Sequence, residues 1–192
     1  MLGRFDLRPV LRGHLKGLTR ADRDRRSADV AARLVIFGVP IATAFAMYFG
    51  GAGLSAPEAL LTGVALLAGG TLTVFGSLSV LRLRLTADAG DDNRMERDGL
   101  DESVAHLLAA ALACVFDAVV LVVGMNLRPA PVDGHAAQTE VTGIPAALAG
   151  GLSVYVVVVF LVMIPRLYFA YTSINDVSQR LSGYHQGRPF DD

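Results

Sequence analysis

The sequence contains a single cysteine, Cys114, and no tryptophan, and only 18% of its 192 residues are charged. One cysteine excludes an internal disulfide framework. Soluble domains carry about 25% charged residues, so the low value argues against an ordinary soluble domain. The first thirty residues are rich in arginine and lack the apolar core of a cleavable signal peptide, and we therefore expect none.

Sequence motifs for catalysis are also lacking. The four histidines fall in different regions of the chain, and no H-x-x-x-H, G-x-S-x-G, Walker A or dinucleotide-binding pattern is present. The basic N-terminal segment lacks the interleaved aromatic residues that are typical of nucleic-acid-binding modules. We therefore expect a protein that is not an enzyme, with no cofactor, no metal site and no nucleic-acid partner.

Apolar residues, by contrast, make up 53% of the chain and are gathered into four long blocks. The blocks span about residues 31–50, 57–81, 102–126 and 145–169. A helix of about 20 residues crosses the hydrocarbon core of a bilayer, which is about 30 Å thick. The sequence therefore predicts an all-α polytopic membrane protein, with four transmembrane helices in a domain at 31–169.

The distribution of lysine and arginine predicts the orientation of these spans. Residues 1–33 hold nine of the 17 basic residues, the 82–103 segment holds four and the part of the chain that follows Pro165 holds three, whereas the two remaining loops together hold one. Cytoplasmic loops carry the excess of Lys and Arg. We therefore expect both termini, the acidic loop 82–101 and the juxtamembrane tail 170–192 to be cytoplasmic in a bacterial inner membrane.

The N-terminal segment 1–30 carries basic residues at four-residue spacing and a parallel stripe of leucines at positions 7, 11, 15 and 18. The basic residues are Arg4, Arg8, Arg12, Lys16 and Arg20. This pattern predicts a basic amphipathic helix that lies on a membrane with anionic headgroups. A solvated leader that only sets topology is the alternative. The stretch Thr19–Asp22 resembles a helix cap, so the first span could begin near residue 20.

The loop at 82–101 is acidic, with seven carboxylates between Asp88 and Glu102. Clustered carboxylates suit hard cations, but their spacing does not match an EF-hand. A solvated loop that supplies helix caps is the favoured interpretation, and a cation site or an enzyme that uses Asp91 and Asp92 is the weaker one.

The second span carries a face of small residues with a seven-residue repeat. Its members are Gly63, Gly69, Gly70, Gly76 and Ser77. Small residues let two membrane helices approach closely, so this face predicts a tight helix interface. Packing inside the bundle is the favoured interpretation, and a subunit interface or a pore lining remains open.

The third span carries Asp117 within an apolar run, and His106 lies eleven positions before it. Eleven helical steps leave about 20° between two residues and separate them by about 16 Å along the axis. With Ala110, Ala113 and Cys114 between them, they form one stripe that could line a wet path. Alternatively, a protonated Asp117 hydrogen-bonds a neighbouring side chain of the bundle: Thr71, Thr73, Ser153 or Tyr155. His106 would then be only an interfacial residue.

These patterns favour a small homo-oligomeric membrane protein that conducts ions or permeabilises the bilayer. Asp117 and the small-residue face of the second span would lie at the working interface. In architecture, a few spans with charged cytoplasmic segments, it looks like small membrane effectors of bacterial defence cassettes and holin-like proteins, an analogy that no motif carries. The alternative is a non-catalytic accessory or scaffold subunit that binds another membrane protein.

Overall fold

A computed structural model of the chain describes residues 6–16, 18–21, 26–28, 30–87, 94–127 and 140–174. In chain order, the elements are α1 (Arg8–Lys16), β1 (Thr19–Ala21), β2 (Arg26–Ala28), α2 (Val30–Arg33), a π-helical turn (Leu34–Gly38), α3 (Val39–Gly50), α4 (Pro57–Ala87), α5 (Arg94–Asn126) and α6 (Gly143–Ile174).

Four helical segments are long and apolar enough to cross a membrane, which confirms the predicted all-helical fold with four candidate spans. They are Val30–Gly50, Pro57–Leu83, Gly99–Asn126 and Gly143–Pro165. Helix α5 lies centrally and packs against both α4 and α6, and α3 packs on the other side of α6. The short α1 packs on α5. The third span thus touches most of the bundle, which explains why its polar residues are buried.

The first span is continuous but irregular. It comprises α2, the π-helical turn at Leu34–Gly38 and α3, which has Pro40 in its first turn. Proline lacks a backbone donor, and both proline and π-helical turns are features that bend a helix. The span ends at Gly51, whose φ of 64° is the left-handed conformation that favours glycine at a helix C-terminus.

Two predicted boundaries are wrong. Thr19–Ala21 does not begin the first span but pairs antiparallel with Arg26–Ala28, and the span begins at Val30. A strand pair reverses the chain between α1, which packs on the bundle, and the first span. The loop predicted at 82–101 is also too long, because α4 continues to Ala87 and α5 already begins at Arg94.

The extended ends of α4 and α5 are joined by an ion pair. Arg82 Nε donates to Asp101 Oδ1 at 2.9 Å, and Arg82 Nη2 donates to Oδ2 at 3.3 Å. Asp101 therefore lies inside helix α5 rather than in the predicted loop. At the opposite end of the bundle, Leu54 and Val141 form a short antiparallel bridge between the two remaining loops.

Candidate functional site: a buried histidine pair and an intramembrane carboxylate

Helix α1 lies against the bundle through its glycine and histidine side, not through its leucines. A Cβ atom built on Gly13 would lie 3.0 Å from the Cβ of Ala105 on α5, so the two backbones approach closely there. Leu18, just beyond α1, is fully buried in the core. In contrast, the other three leucines of the predicted stripe, at positions 7, 11 and 15, are more than 40% exposed. Their side of α1 is therefore exposed in the described part of the chain.

This packing buries His14 and brings it to His106. The two Nδ1 atoms are 2.6 Å apart, and the side chains are 2% and 1% exposed. The other nitrogen of His14, Nε2, is 3.1 Å from the hydroxyl of Tyr155 on α6. The Nε2 atom of His106 lies 3.8 Å from a carboxylate oxygen of Glu102. A four-residue polar cluster, which we call the histidine cluster, thus joins α1, α5 and α6.

The short distance between the two Nδ1 atoms fixes how protons are shared. In a neutral imidazole one nitrogen donates and the other accepts, so one Nδ1 must carry a hydrogen and the other a lone pair. One consistent chain has Tyr155 donating to His14 Nε2 and His14 Nδ1–H donating to His106 Nδ1. The Nε2–H of His106 then faces the carboxylate of Glu102. Such chains polarise each other in a low-dielectric interior.

Sequence reasoning singled out His106 but missed His14. The two residues are 92 positions apart, and α1 is separated from α5 by two complete spans. The signal that was available is the placement of His14 within an otherwise leucine and arginine helix, on the same side as Gly13. The favoured interpretation of His106 as a merely interfacial residue is not what the structure shows, because its side chain is buried and paired.

Asp117 is fully buried and faces α6. The hydroxyl of Ser153 donates to Asp117 Oδ2 at 2.7 Å, so the structure selects Ser153 from the four partners that the sequence allowed. The other carboxyl oxygen, Oδ1, is buried and has no hydrogen-bond partner among the described residues. An intramembrane carboxyl group with half of its hydrogen-bonding capacity unmet is costly, which makes it a candidate functional group.

The stripe between these two sites is buried, as helical geometry predicted, but it is packed rather than open. Ala110, Ala113 and Cys114 are each less than 10% exposed, and they join two hydrophobic clusters with α6 residues. Grooves do occur between α3 and α6 and between α4 and α5, with apolar linings. Neither His106 nor Asp117 lines these two grooves.

The small-residue face of the second span does not pack inside the bundle. Helix α4 contacts α5 through Val64, Thr71 and Leu78, which are buried at seven-residue spacing. The glycine stripe, at positions 63, 69, 70 and 76 with Ser77, lies beside this seam. A Cβ built on any of these four glycines would meet nothing within 4 Å. Packing inside the bundle, the favoured interpretation, is therefore not seen at these glycines, and within one chain Asp117 is buried against α6 rather than at the glycine stripe.

The predicted surface and loop sites are only partly described. Arg8, Arg12 and Lys16 are exposed on α1, whereas Arg4 and the side chain of Arg20 lie outside the described residues. Most carboxylates of the acidic segment, including Asp91 and Asp92, also lie outside them. In the part of the chain that the structure describes, no three His, Cys, Asp or Glu side chains form a metal-binding group.

Comparisons with known proteins do not assign the chain to a family. No protein-family model, no curated protein and no solved structure matches the chain.

Proposed function

We propose that the chain assembles with copies of itself in a membrane and that the assembly conducts ions or permeabilises the bilayer. The observation that supports this proposal most directly is the glycine stripe of α4, in which Gly69, Gly70, Gly76 and Ser77 are exposed and Gly63 is half-buried. Apolar side chains are equally well solvated by lipid and by protein, so membrane helices associate where small residues permit close packing. A helix of a second copy is the natural occupant of the glycine stripe.

The packing of a single chain also favours an assembly. The stripe from His106 to Asp117 is filled by small apolar residues, and the described grooves are apolar. A path for ions is therefore expected where subunits meet or where α5 and α6 separate, rather than along the closed interior of one chain.

Asp117 is the group that we assign to conduction. A carboxyl group at the middle of a membrane helix costs roughly 2.5–3.5 kcal/mol on insertion scales, and such groups usually mark ion or proton pathways. One hydrogen bond from Ser153 does not use all of its capacity. Its second oxygen would coordinate a cation or exchange a proton once α5 and α6 move apart.

The orientation and the lipid partner complete the proposal. The lysine and arginine distribution favours a cell membrane with both termini cytoplasmic. On α1, exposed leucines lie next to the exposed cations Arg8, Arg12 and Lys16. This arrangement suits a helix at the bilayer surface, with its leucines in the acyl region and its cations on anionic headgroups.

Self-assembly is tested by the mass of the purified protein in nanodiscs. The Gly70→Leu variant fills the glycine stripe and is expected to shift the protein from a defined oligomer to a monomer. Ala42→Leu is the matched control, since it adds a large side chain at an exposed position on a different span, α3. A wild-type monomer would overturn the proposal and favour the accessory-subunit alternative, which predicts a stoichiometric membrane partner on pull-down.

Conduction is tested separately by ion flux into liposomes. The isosteric Asp117→Asn variant keeps an acceptor for Ser153 and removes the ionisable group, so we expect an intact oligomer with reduced flux. Ser77→Ala in the glycine stripe is a control that removes a hydroxyl without adding volume. Flux that is unchanged in an oligomeric Asp117→Asn protein would remove Asp117 from the path while leaving self-assembly standing.

A further inference from the structure

The contacts that hold helix α1 on the bundle include the close backbone approach at Gly13 and the histidine cluster. The cluster contributes the polar part of this attachment, because His14 on α1 bonds both His106 on α5 and Tyr155 on α6. Both imidazoles are at least 98% buried in this arrangement. A change in the hydrogen bond between the two imidazole rings therefore weakens or strengthens the attachment of α1 to the bundle.

From this geometry we infer that α1 is an acid-released latch, held on the bundle by the shared proton of His14 and His106. At 2.6 Å, only one hydrogen fits between the two Nδ1 atoms. The docked pair can carry at most one proton beyond its neutral state, because two would set two N–H groups against each other. When α1 is released, both rings are free to be protonated, so acid favours the released state.

The charged and polar groups around the histidine pair determine how many extra protons the docked state tolerates. Glu102 faces His106 and stabilises a single positive charge on the pair. The hydroxyl of Tyr155 can accept from a protonated His14 as well as donate to a neutral one. On the other side of α1, a guanidinium nitrogen of Arg33 donates to the carbonyl of Leu15 at 3.4 Å. One extra proton is therefore tolerated, and a second meets the facing N–H.

The size of the effect follows from proton counting. A free imidazole is half-protonated at a pH of about 6.5. Two free rings together take up one proton more than the docked pair can hold, so the ratio of released to docked α1 is expected to increase by up to about tenfold for each unit that the pH falls below about 6.5. Stability of the docked state is thus fully present above about pH 7 and is lost as the pH falls. Release would uncover the end of the α5 stripe that begins at His106.

The release of α1 can be measured directly, whether or not the protein conducts ions. Only an effect of this release on ion flux rests on the proposed function. Spin labels at Arg12→Cys on α1 and Glu58→Cys at the far end of α4, in a Cys114→Ala background, report the position of α1. The labelled protein is diluted with unlabelled protein in nanodiscs, with a chelator present. Distance distributions are then recorded from pH 7.5 to 5.0.

We expect one narrow distribution at pH 7.5 and a second, broad one that grows as the pH falls. His106→Gln retains an acceptor for His14 and cannot be protonated, so it is expected to keep α1 docked at pH 5.0. His185→Gln removes a histidine elsewhere in the sequence and is expected to behave like the wild type. A wild-type distribution that does not change with pH would overturn the inference. So would an acid release that persists in His106→Gln and in the reciprocal His14→Gln variant.

Discussion

The crossing of α3 and α6 yields the sharpest stability prediction, at Gly151. A Cβ atom built on Gly151 would lie 3.0 Å from the Cβ of Ala44 and 3.1 Å from the carbonyl oxygen of Pro40. A backbone oxygen cannot rotate away as a side chain can, so Gly151→Ala must push α3 from α6. Overpacking of this kind costs roughly 1–3 kcal/mol. Replacing glycine in a helix returns at most about 1 kcal/mol, so we expect a net loss of about 1–2 kcal/mol.

The matched control is Gly99→Ala in α5, where an added Cβ would meet nothing within 4 Å. It gains the helix propensity without the clash and is expected to stabilise the protein slightly. Both variants are compared with the wild type by equilibrium unfolding in mixed micelles at several denaturant fractions. Equal stabilities for Gly151→Ala and Gly99→Ala would refute the reasoning, because the two differ only in what the new methyl group contacts.

Two further predictions concern polar contacts. Ser153→Ala leaves both oxygens of Asp117 without a described partner and is expected to cost about 1–3 kcal/mol in the same unfolding assay, whereas Ser77→Ala, at an exposed position, should cost less than about 0.5 kcal/mol. A double-mutant cycle of Arg82→Gln and Asp101→Asn should give a coupling below about 1 kcal/mol, since these side chains are 36% and 56% exposed; a much larger value would show that the pair is buried in the assembled protein.

The four spans were predictable because hydropathy is a property of each segment alone. A run of apolar residues partitions into lipid whatever its neighbours are, so the predicted ends of the first two spans lie within two residues of the observed ones. The polar extensions of α4 and α5 were missed for the same reason. Arg82 and Asp101 end an apolar run but do not end a helix, because each has a partner on the neighbouring helix.

The hydropathy of a span does not predict which of its sides packs against which neighbouring helix. The heptad pattern of α4 contains two adjacent stripes, one of glycines and one of Val64, Thr71 and Leu78. Both have the correct period for helix packing. Choosing between them depends on the shape of α5 and on partners outside the chain, and neither is written in the sequence of α4.

The histidine cluster was even less predictable from the local sequence. Its members come from three helices, and His14 meets His106 only because α1 returns onto a bundle whose packing must already be known. By contrast, the burial of Asp117 and its bond to Ser153 were within reach, since helical geometry placed the carboxyl in the interior stripe and a hydroxyl lay among the few candidate partners.

The position of Asp117 has a consequence for any conduction path that uses it. The carboxyl group lies between α5 and α6, so ions or protons reach it only if this seam opens. Cys114 of α5 and Val156 of α6 are both buried in one hydrophobic cluster of this seam. In Val156→Cys, oxidation should link the only native cysteine to α6 and hold the seam closed. We expect flux to fall on oxidation and to return with reductant.

Val64→Cys provides the matched control, because Val64 of α4 belongs to the same cluster as Cys114 but lies on its other side. Its disulfide would hold α4 to α5 and leave the α5–α6 seam free to open. The wild-type chain has no second thiol and should not respond to the oxidant. Peptide mass analysis confirms that each link has formed. Undiminished flux through a fully linked Val156→Cys protein would mean that ions bypass Asp117, and the path would then lie along the glycine stripes between subunits.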